Sequence, residues 1–394
     1  MAFVHCGSED CTKSELDLFQ IAPTQTRIEK SIYINVPPLS AITESAPIDF
    51  FIARNGIDYM DLNNTLLYLC CKIVKGDGTE LAVDAEVGLL NYPVASIFSQ
   101  LDVSLGDRLI SQSNNCYPYR AFIELVLNYS NNALATQFFA SLFYKDTAGQ
   151  HEETELDGGN LGFVRHAKLM AESRTVELLG HLHSNLFFQE KLLLNGVDVK
   201  IKLMRSKDAF CLMGSAAEGF KLHIVKKVQV APGVHLGHAE ALLTANAKYP
   251  MDCVGMKVFS IPAGSRVSNQ ENLFLGQLPK MLVLGFVDND AFRGSYAKNS
   301  FHFKHYDINF VALYVDGEQI PTKPLQPDFE AGCCVREYMN LECADHYSLI
   351  KTGNLRAEIR FRKALTVTVN MIVYGVFDNV IEINQRRNVL FDYM

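Results

Sequence analysis

Two stretches of this chain, 210 residues apart, are written to one plan. FSQLDVSLGDRLISQSNNCYPYRAF runs from Phe98 to Phe122, and INFVALYVDGEQIPTKPLQPDFEAG from Ile308 to Gly332. Each reads as a strand, a two-residue turn (Gly106-Asp107, Asp316-Gly317), a second strand, a polar shoulder, a proline and a helix. Leu101, Val103 and Leu105 match Val311, Leu313 and Val315, and Ile110 matches Ile320, all at an offset of 210. One residue then drops out: Pro118 matches Pro327, Leu125 matches Cys334 and Tyr129 matches Tyr338 at 209. An offset held through strand, turn, strand and helix points to two fused copies of one β-unit rather than two unrelated hairpins.

The rest of the chain fits that reading. Short strands punctuated by Gly, Asp, Asn and Pro are predicted at Arg27–Val36, Thr65–Val74, Ser99–Leu105, Arg108–Ser111, Thr175–His183, Glu190–Leu194 and Val197–Leu203. A second set falls at Lys221–Val230, Val254–Ile261, Met281–Val287, Ile308–Val315, Leu355–Phe361 and Leu365–Phe377. Helices are few: Tyr119–Tyr129, with Phe122, Leu125, Val126 and Tyr129 on one face, Asp328–Leu341 and Ala239–Ala247. Residues 130–173 form a long connection with little periodicity, either functional or carrying small elements of its own. Each copy has room for about eight strands, which suits a two-sheet sandwich. The expected fold is therefore all-β: two tandem eight-stranded jelly rolls with short helices in the loops. Residues 1–24 are expected to form an N-terminal arm, 25–212 the first roll and 213–394 the second, with SKDAFCLMGSAAEGF (206–220) at the boundary.

Bulk properties narrow the function. Charged residues make up 20% of the 394, and the net charge of −8 argues against a dedicated nucleic-acid reader. Residues 1–20 carry one Lys and four acids, so the start is not a basic DNA-binding arm. It also lacks the basic and apolar regions of a secretory leader, and no apolar run reaches membrane-spanning length. The 10 cysteines include no CxxC and read as buried thiols of a reducing compartment.

The search for chemistry finds no P-loop, GxGxxG, GxSxG or HExxH. His181-Leu-His183 could place two imidazoles on one strand face with Glu190 downstream, as in the metal box of cupins. The Glu comes too late, however, and Pro232-Gly233-Val-His235 has the wrong spacing for a second box. His302 and His305 lack a visible carboxylate partner, Cys116 lacks a nearby His, and Cys333-Cys334 sits where helix packing is expected. Asn63-Asn-Thr65 and Asn128-Tyr-Ser130 have the form of glycosylation sequons, silent without a leader. Arg356, Glu358, Arg360 and Arg362 alternate onto one strand face, which reads as a solvated or paired face before a DNA-facing one. No catalytic, cofactor-binding or metal residues are assigned, and no cofactor is expected. An empty catalytic search in a duplicated sandwich points to a protein whose product is its shape.

Several phrases carry a family resemblance. IDYMDLNNTLLYLCCKIVKGDG from Ile57, NYPVASIFSQLDVSLGDRLISQSNNCYPYRAFIE and LFYKDTAG resemble the major capsid (hexon) proteins of Maverick/Polinton elements and adintoviruses. So do ENLFLGQLPKMLVLGFVDNDAFRGSYAKNSFHFKHYDINFVALYVDGEQIPTKPLQPDFE and GNLRAEIRFRKALTVTVNMIVYGVFDNVIEI, and the resemblance runs end to end. Ser300 stands where that family usually has Pro, Asn91-Tyr-Pro93 departs from its pattern, and Gly106-Asp107 replaces Asn-Gly. The resemblance implies a double jelly-roll subunit, non-enzymatic, that trimerises into pseudo-hexagonal capsomers and builds an icosahedral shell around double-stranded DNA. It implies neighbouring capsomers, a penton protein and a cysteine-type maturation protease as partners, with Leu156-Asp-Gly-Gly159 only vaguely like a cleavage site. The virion capsid is the implied location, after synthesis inside the host cell. The alternatives left open are a bicupin-like or carbohydrate-binding double sandwich, and a domesticated relative with a cellular role.

Overall fold

The structure is a computed structural model that describes residues 28–40, 46–53, 58–215, 219–236, 246–332, 334 and 352–391. Among the described residues, eight strands form the sandwich of the first half, beside the short strands Asp58–Met60, Val87–Leu89 and Leu212–Gly214: β1 (Ile28–Val36), β2 (Ile48–Ile52), β3 (Leu66–Lys75), β4 (Phe98–Leu105), β5 (Arg108–Gln112), β6 (Val176–His181), β7 (Val199–Arg205) and β8 (Phe220–Leu236). They form two antiparallel sheets, ordered β1-β8-β3-β6 and β2-β7-β4-β5. The second half repeats the plan with β9 (Ala247–Ile261), β10 (Val267–Gln270), β11 (Met281–Asp288), β12 (Ile308–Val315), β13 (Glu318–Leu325), β14 (Thr352–Phe361) and β15 (Val369–Ile383). Its sheets run β9-β15-β11 and β10-β14-β12-β13, so each strand takes the place of its counterpart. No counterpart of β6 occurs among the described residues. This order, with sequence neighbours split between facing sheets, is the double Greek key of a jelly roll.

The repeated hairpins have a physical origin. β4 turns into β5 between Leu105 and Arg108, and β12 into β13 between Val315 and Glu318. Gly106 has φ 57°, while Asp316 and Gly317 have φ 50° and 90°. Two-residue turns that match strand twist need positive φ at the first or at both central positions, which Gly and Asp tolerate. The copies diverge just beyond the turn. Ile110 sits in a bulge and is buried, whereas Ile320 pairs regularly with Leu313 and is exposed.

Each sandwich holds its own core. Leu67, Leu69, Leu101, Val103, Ile201 and Leu203 lie between the sheets of the first, and Ile359, Phe361, Val369, Met371 and Val373 between those of the second. The inward residues alternate along each strand, as period two requires.

The expectations need four corrections. Lys221–Val230 was expected to open the second roll, but β8 is hydrogen-bonded between β1 and β3, Val36 opposite Gln229 and Cys71 opposite Ile224. A strand completes the sheet it pairs with, so we place the division between Leu236 and Ala247, not at 212/213. Glu190–Leu194 is not a strand. It makes a single bridge, Leu193 to Met60, and the Gln189 side chain accepts from the Lys191 N–H. The helix α1 (Tyr117–Asn128) starts two residues early, and Val126, placed on its apolar face, is 48% exposed. Residues 328–332 form a turn. The rest of the predicted 328–341 helix, apart from Cys334, lies outside the described residues, as does 239–245. The long 130–173 connection carries short helices, chiefly α2 (Leu161–Met170), whose first turn is capped by the Asn160 side chain at Phe163 N.

Candidate functional site

The most constrained region is the seam where the two rolls meet. Helix α1 lies in it and presents three rows of side chains. Tyr117, Ala121 and Leu125, spaced four apart, enter the first roll's core. Tyr119 and Ile123 enter a separate cluster with Phe163 and Ala167 of α2, Val254 and Met256 of β9, and Ile372 and Tyr374 of β15. Thus the helices of the first roll pack on the outer face of the second roll's β9-β15-β11 sheet. Aromatic rings dominate this contact. Phe301 stacks on Phe122 at 4.4 Å between centroids and stands edge-on to Tyr119 at 5.9 Å.

The third row is charged and buried. Arg120 is 1% exposed. Its Nε donates to Glu124 Oε1 at 2.9 Å, Nη1 to Ser111 Oγ at 3.3 Å, and Nη2 to Asn185 Oδ1. Glu124 Oε2 accepts from His183 Nδ1 at 2.8 Å, and Oε1 accepts from the Tyr374 hydroxyl at 3.4 Å. His183 Nε2 shares a hydrogen bond with the Tyr92 hydroxyl at 2.7 Å, and the Tyr117 hydroxyl takes the His183 backbone N–H at 3.2 Å. An ionised Glu124 can only accept, so Nδ1 of His183 carries a proton. Burial pushes the Glu124 carboxyl up, but the Arg120 charge and the hydrogen bonds from His183 and Arg120 bring it down to about 2. Tyr92 sits at φ 52°, and its N–H is held by its neighbour's Asn91 Oδ1 at 2.8 Å. The network joins four parts of the first roll (the Tyr92 segment, Ser111 of β5, helix α1 and the loop after β6) to β15 of the second. Every ring nitrogen and carboxylate oxygen in it is partnered, so the network fixes the position of the groups it joins.

The residues singled out from sequence are scattered. His183 lies in this network, while His181 ends β6 and Glu190 lies in the loop beyond, so HxH and Glu do not converge. Among the described residues no three His, Cys, Asp or Glu side chains could hold a metal ion together. Pro232–His235 is ladder backbone in β8. His302 does have a carboxylate, Glu152 of the other roll at 3.2 Å, and stacks on His151 at 4.3 Å. His305 stacks on Phe329. Cys116 is buried at the seam and its thiol is pushed up to about 11 by burial. Cys333 lies outside the described residues. The basic strand is paired with carboxylates of its own chain. Arg356 meets Glu271 at 3.7 Å, Arg360 meets Glu358 at 2.6 Å, and Arg362 meets Asp328 at 2.8 Å and Glu330 at 2.5 Å. Ser130 of the second sequon caps a short helix, accepting from Ala133 N at 3.3 Å. Leu156 packs at the seam, and Gly158 closes a turn back to Glu155.

Sequence reasoning missed Tyr92, Arg120, Glu124 and Tyr374. The i, i+4 spacing of Arg120 and Glu124 was visible, but such a pair normally marks a solvated helix face.

Solved structures place this architecture. The chain superposes over its full length on 94% of a chain of the Sputnik virophage, with TM-score 0.62 and 11% identity. It covers 95% of itself and 99% of a PBCV-1 capsid chain at TM-score 0.55 and 10% identity. For the mavirus major capsid protein the shares are 100% and 95%, at TM-score 0.53 and 11% identity. The fold is the double jelly roll of viral major capsid proteins. By sequence, the chain is 24% identical over 336 residues to an uncharacterised protein of Caenorhabditis elegans, F54H12.2, covering 81% of this chain and 78% of that one. No family model matches. Both rolls are needed to span these double jelly-roll chains, in agreement with the internal duplication. Among the described residues no helix is long and apolar enough to cross a membrane.

Proposed function

We propose that this chain is a major capsid protein of the Maverick/Polinton and adintovirus type, a structural subunit and not an enzyme. Three copies assemble into a pseudo-hexagonal capsomer, and capsomers tile an icosahedral shell around double-stranded DNA. The observation that carries this is the packing of the two rolls. The helix side of one sits on the sheet side of the next, so two like units meet through unlike surfaces. A heterologous contact between like units either closes into a ring or runs on as a filament. Six rolls from three chains close such a ring. The reading brings with it a penton protein, neighbouring capsomers and a maturation protease. It also brings contact with DNA that reads no sequence, synthesis inside a host cell and a virion location.

Light scattering after size exclusion, with electron microscopy of the same peak, tests it. The expected mass is near three times the 44.1 kDa chain, with hexagonal outlines or shells. A single-chain mass at every concentration and salt would refute it. The nematode relative favours one second reading, a cellular gene that keeps the fold. Trimers from native tissue that form no particles and enclose no DNA would select it.

A further inference from the structure

Residues 142–170, within the long connection of the first roll, grip the second roll in two ways. Leu156, Phe163 and Ala167 pack into the apolar seam cluster with Val254, Ile372 and Tyr374. Beside it lies a polar contact. Asn299 Nδ2 donates to Asp146 Oδ2 at 3.1 Å, His302 Nδ1 to Glu152 Oε1 at 3.2 Å, and Lys304 Nζ to the same oxygen at 2.8 Å. The His151 ring lies on His302, 4.3 Å between centroids and 15° from parallel.

Both histidines of this insert sit where a positive charge is unwelcome. His166 is buried on α2, and its Nε2 donates to Leu142 O at 2.8 Å. Tyr144 stands edge-on to it at 5.1 Å, and the nearby charge is a cation, Arg165, over the Tyr144 ring at 5.5 Å. Burial pushes the His166 imidazole down to about 4, and no carboxylate opposes this. Burial, with Lys304 and His151 alongside, also holds His302 below the ordinary imidazole range against the pull of Glu152. His151 Nδ1 is buried without a hydrogen-bond partner, so a charged ring there would leave a donor unmet. The anions around the stacked pair are largely committed. Glu152 is shared with Lys304, Asp288 and Asp290 are held by Lys298 at 2.9 and 3.3 Å, and burial pushes the Asp146 carboxyl up. Tyr306, beyond Glu152, is kept neutral by burial. One charged ring finds an anion here, whereas two stacked cations beside Lys304 repel.

We propose that residues 142–170 form an acid-released clasp on the second roll, opened by protonation of His166 and of the stacked His151–His302 pair. The folded-state pKa of His166 is the lower one. Its contribution to closure is therefore complete above about 6.5 and is lost as pH falls towards about 4. At pH 5 His166 alone favours opening about 30-fold relative to neutral pH. Asp146 acts in the opposite sense, because a carboxyl pushed up by burial is easier to keep buried once protonated, and it offsets part of this. The Glu124 network has a different window. Its carboxyl is held at about 2, so α1 keeps the two rolls joined at pH 5 while the insert lets go. The clasp belongs to the single chain and holds whether or not the chain forms capsomers.

The test is hydrogen–deuterium exchange of the full chain at pH 7.5 and 5.0, corrected for intrinsic exchange and read by peptide mass spectrometry. Protection across 142–170 is expected to fall about tenfold or more at pH 5.0, while β3 and β15 keep theirs. His166→Gln with His302→Asn retains an amide donor near each replaced nitrogen and cannot charge, and should reduce the fall to under threefold. Equal protection of the insert at both pH values would overturn the proposal. So would a fall shared equally by β3 and β15, which would be opening of the whole molecule, or a fall that persists unchanged in the folded double variant. Should that variant fail to fold, a pH series on the parent decides: protection of the insert must drop at least threefold between pH 6 and 5, and a flatter dependence overturns the clasp.

Discussion

Replacing Glu124 by Gln keeps the side chain's shape and removes its charge. Arg120 then remains buried with its guanidinium unneutralised, because its other partners, Ser111 and Asn185, are uncharged. Breaking one side of a buried ion pair costs about 3–5 kcal/mol. The carboxyl's titration gives a second route to the magnitude. Holding it at about 2 against an ordinary 4.5 corresponds to about 3 kcal/mol, at about 1.4 kcal/mol per pH unit. The folded-state pKa is the lower one. The stabilisation is therefore complete above pH 4.5 and is lost as pH falls towards 2. Urea unfolding followed by circular dichroism is the assay, since the chain has no Trp. The expected result is a loss of about 3 kcal/mol at pH 7, with the gap between variant and parent closing as the solution is acidified. Removing both charges with Arg120→Met and Glu124→Leu should cost less than Glu124→Leu alone, because no unpaired ion remains. A gap under about 1 kcal/mol at pH 7, or one that persists unchanged at pH 2.5, would show that the network does not hold the seam as argued.

Two further outcomes follow from the same region. Phe301→Ala removes the ring that stacks on Phe122 and stands edge-on to Tyr119, and should cost about 3–5 kcal/mol. Limited proteolysis should then cut more readily between residues 236 and 247, and an unchanged unfolding midpoint would contradict this. Burial pushes the thiols of Cys71 and Cys116 up to about 12 and about 11. Alkylation at pH 8 read by peptide mass spectrometry should therefore leave both unmodified until denaturant is added, and rapid labelling in the native protein would refute their burial.

What was legible in the sequence was local. The hairpins at 105–108 and 315–318 could be read because positive φ restricts which residues can turn there. The β4 alternation could be read because one face is dry. Strand β2 escaped notice although Ile48, Phe50 and Ile52 alternate inward, because five residues between loops give a weak periodic signal. Strand β8 was recognised as a strand and assigned to the wrong roll. Its partners β1 and β3 lie more than 140 residues upstream, and periodicity reports which face is buried but not which strand lies alongside. The Arg120–Glu124 row was illegible for a related reason. A helix with one apolar face and one charged row looks like a surface helix unless a second domain is known to cover the charges.

The departures from the capsid-family pattern sharpen this point. Gly106-Asp107 changes a hairpin tip, but the other two fall at the seam. Asn91 fixes the backbone of Tyr92, whose hydroxyl completes the His183 bonds. Ser300 is fully buried, and its hydroxyl lies 3.2 Å from Phe210 O of the first roll and 3.0 Å from Ala291 O of the second. Hydrophobic area alone would let two sandwiches slide over one another, since apolar contact has no direction. Hydrogen bonds from Ser300 and the Glu124 network do have direction, and leaving any of them unmade inside the seam is costly. Two copies of one fold are thereby held at one fixed angle, the property that the ring of six rolls proposed above would require of each of its joints.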